Sequence, residues 1–62
     1  MDNIICEGDY SNPTKLIVDN QEINLNIEKW NIAYKTINED MGMSKETPNF
    51  LSIVYDMYNN LI

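Results

Sequence analysis

Glu22-Ile23-Asn24-Leu25-Asn26-Ile27-Glu28-Lys29-Trp30-Asn31-Ile32-Ala33-Tyr34 changes its period in the middle. From Glu22 to Asn26, polar and apolar residues alternate, the mark of a strand with one buried face. From Ile27 onward the apolar residues recur at helical spacing. At 100° per residue, Ile27, Trp30, Ala33, Tyr34, Ile37 and Met41 fall within about 120°, a single stripe. Asn26, at the junction, is a favourable helix N-cap, and Glu28 lies in the first turn, where negative charge is favoured. With strands before this junction and helices after it, the order is that of the α+β class.

Toward the N-terminus, Lys15 to Val18 is a short apolar segment that can pair with Glu22 to Asn26. A loop at Asn20-Gln21 sets Val18 opposite Ile23, Leu16 opposite Leu25 and Ile17 opposite Asn24. A loop at Asp19-Asn20 instead sets Val18 against Gln21 and Ile17 against Glu22. The first register keeps apolar with apolar and is the one expected. It sets Asp19 opposite Glu22, a like-charge pair that a looser turn would relieve. Asn3 to Glu7, with Ile4, Ile5 and Cys6, reads as a further strand. Gly8 to Thr14 is rich in turn formers and reads as a loop.

Toward the C-terminus, Gly42 is suited to the left-handed position that ends a helix. Met43 to Glu46 is a connector, and Thr47-Pro48 is a helix start, an N-cap followed by proline at the first helical position. The expected architecture is a small single α+β domain over residues 1–62. It has a short antiparallel sheet of two to three strands, with a hairpin at about 15–26. Two α-helices follow, at about 27–41 and 48–60. An isolated hairpin is marginal, so the helices must pack on it.

A chain of 62 residues builds a small core, worth on the order of 3–5 kcal/mol, and small scaffolds usually add a disulfide, a metal or a second subunit. The sequence has one cysteine and no histidine, which excludes an internal disulfide and a structural zinc ligand set. A second copy of the chain is the support that remains, so a homodimer is expected. Cys6 lies among apolar residues and reads as a small buried hydrophobe, and one unpaired thiol suits a reducing compartment, the cytoplasm. The N-terminus lacks the basic start of a signal peptide, and no apolar run is long enough to span a membrane. Ten asparagines and nine isoleucines, both with AT-rich codons, fit a low-GC bacterium or one of its phages, whose cytoplasm or host cytoplasm would be the working compartment.

The net charge of −6 comes from ten carboxylates and four lysines, with no arginine. Arginine is the preferred group for phosphate and base contacts, so nucleic-acid binding is not expected. The same charge is repelled by anionic membranes. A partner selected by charge would be basic.

No catalytic set is expected. Glu7 with Asp9, and Glu39 with Asp40, are the only close carboxylate pairs, and both read as solvated surface. Without histidine, no Ser/His/Asp or Cys/His set exists. Two glycines, Gly8 and Gly42, do not make a phosphate loop. Asn38, Asp40, Gly42 and Glu46 superficially resemble a calcium loop, but the glycine and the terminal glutamate fall at the wrong positions. No enzyme, cofactor or metal is expected.

The informative segment is Phe50 to Ile62, where nine of thirteen residues are apolar or aromatic. On a helical wheel they span about 200°, nearly twice the roughly 100° that a one-sided core needs. One edge should pack on the sheet. The other, Leu51, Tyr55, Tyr58 and Ile62, carries more apolar surface than so small a core absorbs. Tyrosine is also enriched in protein interfaces. Either the first helix covers this edge or a second protein does. Ile32, in the middle of the polar face of the first helix, is a further candidate contact, whereas Trp30 on the stripe reads as core. Asp19 and Glu22 form an acidic candidate contact at the hairpin turn.

The function expected from these features is a non-catalytic protein-binding module, an inhibitor or regulator of a larger host protein, for instance in phage anti-defence, that works as a homodimer. The alternative is a DNA mimic, whose carboxylates would occupy a basic nucleic-acid channel. A mimic should concentrate its acids on one face, but here they are scattered and the last helix carries only Asp56.

Overall fold

The computed structural model describes residues 3–61. A three-stranded antiparallel sheet is followed by two helices. The strands β1 (Ile4–Asp9), β2 (Asn12–Val18) and β3 (Gln21–Glu22) lie in the order β1-β2-β3. Helix α1 (Ile27–Lys35) runs into a π-helical turn, Thr36–Asp40, and α2 (Phe50–Asn60) follows a connector.

The strongest pairing joins β1 to β2. Ile4 faces Val18, Ile5 faces Ile17, Cys6 faces Leu16 and Glu7 faces Lys15, with a bulge after Glu7. The segment expected as a loop, Gly8 to Thr14, is therefore mostly strand. The chain reverses at Tyr10-Ser11, and the Asp9 carboxylate accepts from the Ser11 N–H at 3.2 Å. Gly8 takes φ 89° at the bulge, and the Thr14 hydroxyl donates to the Glu7 carbonyl at 3.2 Å. Proline is confined to edges and bulges, and Pro13 sits opposite Gly8 in this distorted part of β2.

The second hairpin adopts the register that hydrophobic pairing disfavoured. Val18 faces Gln21 and Ile17 faces Glu22, closed by Asp19-Asn20. Both turn residues have positive φ, 51° and 69°, the type I′ geometry that matches strand twist and that Asp and Asn tolerate. Turn chemistry thus decided the register. Apolar pairing is still kept one step further on, because the Ile23 N–H donates to the Leu16 carbonyl at 3.0 Å. Asp19 does not face Glu22. The ladder of β3 is only two residues long, so the expected strand at Glu22–Asn26 is cut short. Its alternation survives as burial, with Ile23 and Leu25 half-buried between exposed neighbours.

Helix α1 begins as the sequence indicates: the Asn26 side chain accepts from the Lys29 N–H at 3.2 Å. Its apolar stripe buries Trp30, Ala33 and Ile37. Met41, the last member of the expected stripe, is 56 % exposed. The π turn holds one residue more than an α turn and rotates Met41 off the stripe. Gly42 then takes φ 72° and ends the helix, with the Met43 N–H donating to the Ile37 carbonyl at 3.1 Å.

Helix α2 starts two residues later than Thr47-Pro48 implies. Asn49 is the cap residue, in a left-handed conformation with φ 65° and no side-chain capping bond. The Phe50 N–H donates to the Thr47 carbonyl at 3.1 Å. Proline followed by a left-handed asparagine is the pattern of a type II turn, so Pro48 makes a turn before the helix rather than its first residue.

The inward faces of β2, α1 and α2 enclose one core of Leu16, Val18, Trp30, Ala33, Ile37, Phe50 and Val54. Leu16 and Val18 come from the same face of β2, as the period of two requires. Among the described residues, no buried side-chain nitrogen or oxygen lacks a hydrogen-bond partner, and no helix is long and apolar enough to cross a membrane.

Candidate interaction surface

The flank of α2 that faces α1 is a row of aromatic rings. Tyr58 lies 5.7 Å from Trp30, tilted by 60°, and Tyr55 stacks on Tyr58 at 6.1 Å with 21° between planes. Trp30 anchors the row. It is fully buried, and its indole Nε1–H donates to the Tyr10 carbonyl at 2.7 Å. The hydroxyl of Tyr58 accepts from the Asn26 N–H at 3.0 Å, and the Lys29 ammonium lies 5.3 Å from the centre of its ring. Tyr58 therefore ties α2 to the start of α1 and fixes its own rotamer. Further along, Tyr34 of α1 meets Phe50 edge-on at 5.6 Å, so the two helices are joined by aromatic contacts at both ends.

The edge expected on α2 divides. Tyr58 is engaged by α1, while Leu51 and Tyr55 are half-buried on the core margin. Ile62 lies outside the described residues. Leu51 lines a shallow groove with Ile4, Tyr10, Lys45, Thr47 and Phe50, between the sheet and the start of α2. No apolar side chain of α2 is largely exposed: Ile53 and Met57 on the opposite flank are half-buried, as is Leu61 just beyond the helix. The wide apolar arc is thus partly covered on both sides.

Ile32 stands out on α1 with 54 % exposure, beside Lys35, Thr36 and Glu39. It is not joined to the aromatic row. Asp19 and Glu22 are exposed at the β2–β3 turn. Asp19 supplies turn geometry and donates its N–H to the Asn3 carbonyl at 2.9 Å. A lysine balances Glu22, with Lys15 Nζ 4.0 Å from its carboxylate, an exposed pair of little energetic weight.

Three apolar residues are exposed against expectation: Ile27, the first member of the expected stripe, which lies at the very start of α1, together with Ile5 and Met41. Ile5 is 47 % exposed on the outer face of the sheet, next to Ile17. The signal was present, because consecutive isoleucines in a strand point to opposite faces and only Ile4 can point to the core. The exposure of Met41 depends on the π turn.

Burial, and secondarily the charge of Asp9, push the Cys6 thiol above its ordinary range, which makes it a poor nucleophile at neutral pH. Among the described residues, no three Cys, Asp or Glu side chains are grouped to hold a metal ion. Asn38, part of the superficial calcium pattern, donates its side-chain amide to the Met43 carbonyl at 2.9 Å and so stabilises the helix end. No family model matches the chain, and neither a curated protein nor a solved structure matches it.

Proposed function

We propose that this chain is a small, acidic, non-catalytic protein-binding module that regulates or inhibits a larger protein and acts as a homodimer in a reducing cytoplasm. Leu51 and Tyr55 on α2 form the centre of the contact. The observation that carries the reading is the preset aromatic row. Trp30 and the Tyr58 hydroxyl hold Tyr58 in place, and Tyr55 stacks on it at the margin of the core. A half-buried, already ordered tyrosine contributes contact area at low entropic cost. The low-GC composition favours a bacterial host protein as the target, as a phage-encoded inhibitor would have.

The DNA-mimic alternative has less support. Among the described residues, the acidic side chains are divided among β1, the β2–β3 turn, the start of α1, the π turn, the connector and α2. Salt separates the two readings. A complex captured on the immobilised chain from a low-GC bacterial lysate should keep its affinity within about threefold between 50 mM and 500 mM salt if contact is apolar. A charge-led mimic complex falls steeply over that range. A steep fall rejects the aromatic edge as the main contact.

A further inference from the structure

The free edge of β1 is a second surface, distinct from the aromatic row. The Asp19 N–H donates to the Asn3 carbonyl, and Ile5 and Glu7 face Ile17 and Lys15 in the same register. Hydrogen bonding alternates along an antiparallel strand, so Asn3, Ile5 and Glu7 direct their main-chain groups to β2. Ile4 and Cys6 direct theirs to the open side, where β1 is the terminal strand. Proteins usually blunt such edges with lysine, proline or a bulge. Along Ile4-Ile5-Cys6 there is no charge and no proline, and the bulge comes only after Glu7.

We propose that β1 pairs antiparallel with β1 of a second copy of this chain, about a two-fold axis through Ile5. The register follows from the geometry. Only outward-directed residues can form the hydrogen-bonded pairs, and in the register centred on Ile5 these are Ile4 with Cys6 of the second copy and Cys6 with its Ile4. Ile5 then lies directly opposite Ile5 of the second copy, in the close, non-hydrogen-bonded position where apolar pairs contribute most. Asn3 falls opposite Glu7, so no like charges meet. Sliding the pairing by two residues sets Ile5 against Glu7 in one direction and against Asn3 in the other, losing the apolar pair of Ile5 either way. Sliding it by four sets Glu7 against Glu7 or, in the other direction, moves Ile4 to Cys6 out of the pairing with residues 3–7 of the second copy. Self-pairing also explains the half-exposed Ile5: across the joined sheets, Ile17, Ile5 and their two symmetry mates form one continuous apolar band. The contact is isologous and closes on itself.

The short open run makes this a weak, concentration-dependent dimer. The net charge of −6 on each copy opposes it, so added salt should strengthen it, as screening removes the repulsion. This deepens the homodimer part of the function proposed above and uses a different surface from the one assigned to the target.

Sedimentation equilibrium across micromolar to millimolar concentrations tests it. The wild type should approach twice the 7.2 kDa chain mass and do so at lower concentration in 500 mM salt than in 50 mM. The Ile5→Lys variant should remain at monomer mass, whereas Tyr55→Glu should dimerise as the wild type does. In a Cys6→Ala background, Ile5→Cys should oxidise to a disulfide-linked dimer, and Ile17→Cys, one strand away from the axis, should not. A wild type that stays monomeric at millimolar concentration in high salt overturns the proposal. So does a dimer that survives Ile5→Lys, or one that Tyr55→Glu splits. Loss of target capture in Tyr55→Glu with the dimer intact leaves the two surfaces separately established.

Discussion

Trp30 joins three parts of the chain: it fills the core, donates to the Tyr10 carbonyl at the first turn and carries Tyr58 of α2 on its ring. Its place was legible from the helical stripe, because the spacing to Ala33 and Tyr34 fixes the face. The role of Tyr58 was not legible. Its position on the wheel allows either a neighbour helix or a partner protein, and only the meeting with Asn26 and Trp30 decides it. Gly8 is equally specific. Its φ of 89° strains any side chain, and an added Cβ would lie 3.1 Å from the Thr14 nitrogen. Gly8→Ala should therefore destabilise the fold by about 1–3 kcal/mol, the cost of a side chain in such a conformation, measured as a lowered urea midpoint. Cys6 makes a pH-dependent contribution. Its folded pKa is raised, so the folded state holds the thiol proton more tightly than the unfolded state does. That stability is complete below the unfolded thiol pKa of about 8.5 and is lost as pH rises through the folded value. Denaturation midpoints from pH 7 to 10 should fall more steeply for wild type than for Cys6→Ala, and parallel curves would remove the effect.

At the scale of elements, the start of α1, the halt at Gly42 and the two-helix order follow from local chemistry that a sequence displays: an N-cap, a left-handed glycine and a 3.6-residue stripe. The sheet was less legible. Hydrophobic pairing alone favoured a loop at Asn20-Gln21, but the backbone turns at Asp19-Asn20, where both residues accept positive φ. The tight turn at Tyr10-Ser11 was hidden in a seven-residue segment rich in turn formers, most of which lies in the ladder. The π turn left no signal that apolar spacing could reveal. The β2–β3 turn gives a direct check. Asn20→Gly should hold or raise the melting temperature, since glycine tolerates this conformation. Asn20→Val should lower stability by about 1–3 kcal/mol, since a β-branched residue resists it. Thermal melts followed by circular dichroism would show both.

For the whole molecule, the features that matter are small size, a core of seven buried apolar residues and apolar groups left at two margins. One margin is the aromatic row on α2, where the apolar arc of the last helix is half-buried and α1 covers part of it. The other is the edge of β1, which became visible only once the register was known. Acidity is spread over the surface and contributes solubility and repulsion more than shape. The proposed function places protein contact at the α2 margin. The most direct test compares capture by the immobilised wild type, Tyr55→Glu and Glu22→Gln, after confirming by circular dichroism that all three melt cooperatively. The expected result is a defined protein retained by wild type and by Glu22→Gln and lost, by at least tenfold, with Tyr55→Glu. Undiminished capture by a folded Tyr55→Glu would contradict the claim.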